Sequence, residues 1–81
     1  MFNFSANRIE ILAIKIYERC TVYSIKDLDT CRCYKAYDYS NSLDMQPGKI
    51  YCISGKVNSA DKLYLVLEHS KEDRRYYATP V

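Results

Sequence analysis

Apolar and polar residues alternate with a period of two along much of this chain, which is the pattern of β-strands that bury one face. In residues 62–68, Leu63, Leu65 and Leu67 occupy alternate positions and therefore share one face. Residues that favour strands, β-branched and aromatic, are also concentrated in three earlier segments. The pattern predicts strands over residues 20–26, 30–37, 49–57 and 62–68.

Short polar segments separate these strands and predict how they connect. The clearest break is residues 40–48, where Asn, Ser, Asp, Pro and Gly are concentrated. Only residues 58–61 separate the last two strands, and a loop this short predicts an antiparallel hairpin. Gly55 lies inside the first strand of that hairpin, where it predicts a bulge or a sharp bend. Asp27 and Asp29 flank an earlier turn, where we expect them to cap the backbone.

The N-terminal residues 8–17 fit two kinds of element. A helical stripe is formed by Ile9, Leu12, Ala13, Ile16 and Cys20. Asn7 followed by Glu10 also resembles the capping box at the start of a helix. Against a helix, four Ile in ten residues favour a strand, with one bulge where the apolar phase changes after Ile11. We take the strand as the main interpretation and the helix as the alternative.

These elements predict one domain over residues 1–81, with a core over about 8–68 and a C-terminal segment, 69–81, that adds an edge strand or stays mobile. Five strands with a long bent first strand and a final hairpin are the elements of a small all-β, five-stranded Greek-key barrel of the OB type. If residues 8–17 are helical, the fold is instead α+β, with an N-terminal helix on an antiparallel sheet.

Two segments resemble a known family. Residues 22–27, VYSIKD, and 43–57, LDMQPGKIYCISGKV, resemble OB-fold domains of the replication protein A type. In those domains a strand ends near an acidic turn, and a later strand opens with Gly-Lys-Val-Tyr or a close variant. The chain also resembles small phage single-stranded-DNA-binding proteins, which lack a helix between the third and fourth strands. The resemblance implies non-catalytic binding of single-stranded nucleic acid, with DNA preferred.

Composition makes tyrosine the residue to explain. The 81 residues include nine Tyr but only two Phe and no Trp, and the formal net charge is only +2. So small a charge does not identify nucleic acid as a partner, and any basic footprint must be local. Tyr17, Tyr37 and Tyr51 are expected to pack in the core or at its rim.

The candidate nucleic-acid-binding residues are lysines, an arginine, two tyrosines and one serine. Strand alternation or a loop position places each of them on one outer face. If Cys31 and Cys33 face the interior, Arg32 and Tyr34 project outward. If Tyr23 and Ile25 point inward, Ser24 and Lys26 point outward. Lys56 and Lys62 flank the loop before the last strand, on which Tyr64 points outward. The predicted set is Ser24, Lys26, Arg32, Tyr34, Lys56, Lys62 and Tyr64.

Other classes of function find little support in the sequence. The four Cys do not form the paired Cys-x-x-Cys elements of a structural zinc site, so we expect no metal or cofactor and mainly buried, reduced thiols. His69 is the only His and has no nucleophile elbow near it, so we expect no enzymatic activity. No apolar stretch is long enough to span a membrane, and no secretory signal is recognisable, which predicts a soluble intracellular protein.

A protein partner is the alternative to nucleic acid. Tyr and Arg are enriched at protein interfaces, so a small viral or accessory subunit could use a tyrosine-rich face or a sheet edge to bind another protein. A single OB domain contacts only about 4–16 nucleotides, so the nucleic-acid interpretation also predicts a homo-oligomer or a larger protein partner.

Overall fold

The computed structural model of the protein describes residues 2–41, 43–57 and 65–72. These residues form strands and connections without any helix. The strands are β1 (Phe2–Ile16), β2 (Thr21–Asp27), β3 (Arg32–Asp38), β4 (Ile50–Val57) and β5 (Leu65–Glu72). The all-β prediction is confirmed, and the α+β alternative is wrong because residues 8–16 belong to β1.

The five strands close into a small OB-like barrel. Their order around the barrel is β1-β2-β3-β5-β4, and β4 pairs with β1. β3 and β5 pair in parallel, whereas the other four pairs are antiparallel. The β4–β5 hairpin predicted from the short loop is confirmed. β5 extends to Glu72, so the first part of segment 69–81 continues the last strand.

β1 pairs with both β2 and β4, which requires a strand that coils strongly. Its register against β2 shifts between Ile11 and Ala13, which confirms the bulge predicted from the change of apolar phase. A second shift, against β4, lies between Ala6 and Ile9. Bulges increase the local twist of a strand, so the two shifts allow one 15-residue strand to curve around the barrel.

Aliphatic and aromatic side chains from all five strands fill the barrel interior. The most deeply buried include Ile9, Ile11, Tyr23, Ile25, Ala36, Ile53, Leu65 and Leu67. The inward positions predicted for Tyr23 and Ile25 are confirmed, as is the shared face of Leu65 and Leu67. Leu63 lies outside the described residues.

The connection between β3 and β4 covers one end of this core. Met45 is buried against the interior, and Leu43 packs beside it. The Tyr23 hydroxyl donates to the Leu43 carbonyl, and the Tyr51 hydroxyl accepts the Gln46 amide at 2.8 Å. Two core tyrosines thus hold this short segment in place.

Asp27 ends β2 and caps the turn that leads to β3. Its carboxylate accepts the backbone amides of Asp29 at 2.9 Å and Thr30 at 3.4 Å, which confirms the capping role predicted for Asp27. Asp29 instead pairs with Arg8 at 2.9 Å.

In the part of the chain that the structure describes, we find no helix long and apolar enough to cross a membrane.

Candidate nucleic-acid interface

A groove of about 440 Å³ lies on the outer face of β1, β2 and β3. We call it the tyrosine groove and define it by Lys15, Tyr17, Val22, Ser24, Lys35 and Tyr37. It presents two phenol rings and two ammonium groups, and no acidic residue occurs among the described residues that line it. The groove therefore combines aromatic surface with local positive charge.

Strand register brings these side chains into two rows across the sheet. Lys15 on β1 pairs with Val22 on β2, and Val22 pairs with Tyr37 on β3. In the second row Ser24 lies between Ala13 and Lys35. Directly paired residues of neighbouring strands point to the same side of the sheet, so both rows face outward together.

The β1–β2 turn places Tyr17 at one end of the groove. The Tyr17 amide donates to the Cys20 carbonyl at 2.8 Å, which closes the turn directly after β1. The Lys15 ammonium lies 5.5 Å from the centroid of the Tyr17 ring, a cation–π contact. Tyr17 remains 47% exposed, so it is accessible to a second planar group.

A second aromatic surface lies at β3. The rings of Tyr37 and Tyr39 stack with centroids 6.1 Å apart and planes 13° from parallel. The Lys35 ammonium, from the same strand, donates to the Ser24 hydroxyl at 2.8 Å. This hydrogen bond holds the cation over β2, in the row next to that of Lys15, Val22 and Tyr37.

Of the predicted binding residues, Ser24 lies in the tyrosine groove. Lys26 shares the outer side of β2 with Ser24 and is half-buried between Glu10 and Cys33. Arg32 is exposed at the start of β3, where it pairs with Asp27.

Tyr34 has a different orientation from the one predicted. It pairs with the fully buried Ile25, so both side chains point to the barrel interior. Its ring makes an edge contact with Phe4, with centroids 6.1 Å apart and planes at 72°. The prediction that Tyr34 projects outward is therefore wrong.

The error in the phase of β3 comes from Cys31 and Cys33. Both are exposed, so the expectation that they fill the interior as buried thiols is wrong. Cys31 adopts a left-handed backbone with a φ of 61°, within the turn that sets the pairing of Asp27 with Arg32. That pairing directs Ala36 and Asp38 inward, where both are fully buried.

Of the remaining predicted residues, Lys56 does not line the groove. Lys56 lies on β4, which is not adjacent to β2 or β3, and its ammonium donates to the Asn3 side chain. Lys62 and Tyr64 lie outside the described residues.

The groove residues missed by the sequence analysis are Lys15, Tyr17, Lys35 and Tyr37. Tyr51 is buried, as expected of a core residue, but Tyr17 is half exposed. The signal that could have found Lys35 and Tyr37 is the alternation around Ala36. With Ala36 inward, its charged and aromatic neighbours both point outward.

Among the described side chains, no three His, Cys, Asp or Glu residues gather as they would around a metal ion.

No protein-family model, curated protein or solved structure matches this chain.

Proposed function

We propose that this protein binds single-stranded nucleic acid, preferably DNA, along the tyrosine groove and carries out no chemistry on it. The observation that carries the proposal is the combination of two accessible tyrosines and two lysine ammonium groups in one groove. Proteins that bind single strands combine these two features, because bases stack on aromatic rings and cations follow the phosphate backbone.

Each group in the groove has a distinct task in this proposal. One base stacks on the exposed ring of Tyr17, and another stacks on the Tyr37–Tyr39 pair. The ammonium groups of Lys15 and Lys35 contact phosphates of the same nucleic-acid strand. Lys26 lies on the same side of β2, and its ammonium group extends the row of positive charges toward the C-terminal end of β2.

Single strands fit this arrangement better than duplexes. The ring faces are available only to bases that are not already stacked in a helix. The preference for DNA follows from the resemblance to replication protein A-type and phage proteins. Because one such domain contacts about 4–16 nucleotides, tight binding requires several copies or a larger protein partner.

Fluorescence anisotropy of a labelled oligothymidylate tests the proposal. We expect Tyr37→Ala to weaken binding about tenfold, because the loss of one stacked base costs about 1–3 kcal/mol. Lys56→Ala is the matched control and should bind like the wild type, because Lys56 pairs with Asn3 at the opposite end of β1 from the groove. Circular dichroism verifies that both variants keep the wild-type fold.

The wild-type protein supplies the decisive comparison. Binding that is absent at roughly 50 µM protein and low salt, a concentration that detects interactions of about 6 kcal/mol, would rule out the proposal. Equal affinities for Tyr37→Ala, Lys56→Ala and the wild type would place the binding site elsewhere on the barrel.

A further inference from the structure

The β1–β2 hairpin has a second concavity on its opposite side. This concavity, of about 480 Å³, lies between the ends of β1 and β2 and the connection that precedes β4. We call it the acidic groove and define it by Ile14, Ile16, Thr21, Tyr23, Leu43 and Asp44. Ile14 lines both grooves, so the hairpin separates them.

Three aliphatic side chains, Ile14, Ile16 and Leu43, line the acidic groove. Ile16 is 78% exposed, which makes it the most exposed large hydrophobic residue among those described. Leu43, in the connection between β3 and β4, is half-buried and lines the same groove. Exposed aliphatic side chains in a concave surface are typical of a site that another molecule covers.

The charged side chain that lines this groove is acidic. The exposed Asp44 carboxylate lines it, and the described lining residues include no Lys or Arg. The Asp38 carboxylate lies behind the wall, fully buried, and accepts the Leu43 amide at 2.9 Å. Burial, and then the charges of Asp38 and Asp44, raise the pKa of the Tyr23 hydroxyl. Both carboxylates therefore interact electrostatically with a residue that lines the groove.

From this geometry we propose that the acidic groove binds a peptide segment of a partner protein that carries an aliphatic side chain next to Arg or Lys. The aliphatic side chain packs between Ile16 and Leu43, where it removes exposed apolar surface from water. The neighbouring cation pairs with Asp44 at the rim, and the field of Asp38 adds to its attraction.

The negative charge of the acidic groove also excludes nucleic acid as its occupant, because phosphate groups are repelled by Asp38 and Asp44. The volume lies in the range of about 300–1,000 Å³ that is usual for ligand sites and suits one or two side chains. The inference does not depend on nucleic-acid binding, because only Ile14 belongs to both grooves.

Panning a phage-displayed library of random peptides on the immobilised full chain tests the inference. We expect enrichment of peptides in which Leu, Ile or Val adjoins Arg or Lys. A synthetic peptide of the enriched sequence should then bind at least tenfold more weakly to Asp44→Lys and to Ile16→Ser. Both side chains are exposed, so thermal unfolding should show both variants folded.

Two variants serve as matched controls for the peptide. Leu12→Ser changes another exposed aliphatic residue of β1, and Lys35→Ala changes the tyrosine groove. Both should bind the peptide as the wild type does. The inference is overturned if no peptide is enriched, if acidic peptides are enriched, or if Asp44→Lys binds with unchanged affinity. Self-association that is abolished by Ile16→Ser would also overturn it, because the occupant would then be a second copy.

Discussion

The tyrosines differ in environment, and the environment determines what each contributes. Tyr23 and Tyr51 are buried, and their hydroxyls hold the connection that precedes β4. Tyr17 and Tyr39 are about half exposed on the other side of the sheet. Tyr34 lies between these extremes, since its ring packs on Phe4 in the interior. Buried tyrosines thus pack their rings and form hydrogen bonds in the core, whereas exposed tyrosines present a ring face to solvent.

The burial of Tyr23 makes the stability of the protein depend on pH. Burial is the main reason that the pKa of its hydroxyl is raised above the ordinary value, and the charge of Asp38 adds to the shift. The folded protein therefore holds the phenolic proton more tightly than the unfolded chain does. The contribution of this proton to stability is complete below about pH 10 and is lost as the pH rises through the raised pKa.

We expect the unfolding free energy of Tyr23→Phe to fall less than that of the wild type as the pH rises above about 10. At neutral pH the variant lacks the hydrogen bond to Leu43, so it should be less stable by about 1 kcal/mol. Urea unfolding at several pH values measures both effects. Tyr17→Phe, at an exposed position, is the control and should follow the wild type throughout. An identical alkaline loss in Tyr23→Phe and the wild type would contradict this account.

At the scale of elements, bulges give the strands the curvature that a closed barrel of five strands needs. One of them lies where β4 pairs with β5, at a shift between Ser54 and Gly55. A Cβ atom placed on Gly55 would lie 2.1 Å from the Val66 carbonyl oxygen, far inside van der Waals contact. Because the obstacle is backbone of a paired strand, no side-chain rotation relieves it.

Gly55→Ala is therefore expected to destabilise the protein by about 3 kcal/mol, since overpacking at this position must move β5 away from β4. Urea unfolding gives the change in free energy. Ser54→Ala alters the adjacent half-buried residue and should stay within about 0.5 kcal/mol of the wild type. If Gly55→Ala were as stable as Ser54→Ala, the close approach of the two backbones would be wrong.

The prediction of elements from the sequence was accurate where local pattern is strong. The isoleucines of β1 indicated a strand with a bulge, and the short loop indicated the β4–β5 hairpin; both are confirmed. The phase of β3 was wrong. Alternation establishes that Tyr34 and Ala36 share a face, but the side on which they lie depends on the pairing of Arg32 with Asp27 across a turn.

At the scale of the whole molecule, the β1–β2 hairpin separates two surfaces of opposite character. The tyrosine groove carries two lysines, whereas the acidic groove carries Asp44 and has Asp38 behind its wall. The net charge of +2 conceals this division, because bases and acids nearly cancel over the whole chain. Local fields, not the total charge, therefore decide which partners each side attracts.

Salt dependence tests this local field at the tyrosine groove. If Lys15, Lys26 and Lys35 contact phosphates, the logarithm of the association constant should fall with the logarithm of salt concentration with a slope of about −2. Lys35→Ala should reduce the magnitude of that slope by about 0.7. Anisotropy titrations at several salt concentrations measure it, with Lys56→Ala as the control. A slope near zero would mean that phosphates are not bound at this face.

From the sequence one can derive the strand segments, the turns between most of them and the inward positions of Tyr23 and Ile25. These follow from short-range rules, since alternation, glycine in a strand and short loops act over a few residues. The same rules predicted the barrel, because five short strands with a long first strand have few ways to bury their apolar faces.

The composition of the candidate site depends on the closed barrel itself. Lys15 and Tyr17 are about 20 residues from Lys35 and Tyr37 along the chain, and the two pairs come together only through the pairing of three strands. Each strand can present either face outward, and the choice is made by which side packs against Phe4, Ile25 and Leu65 in the common core. Long-range packing therefore selected the tyrosines that face solvent, because burial of the aliphatic residues outweighs the preference of any single aromatic side chain.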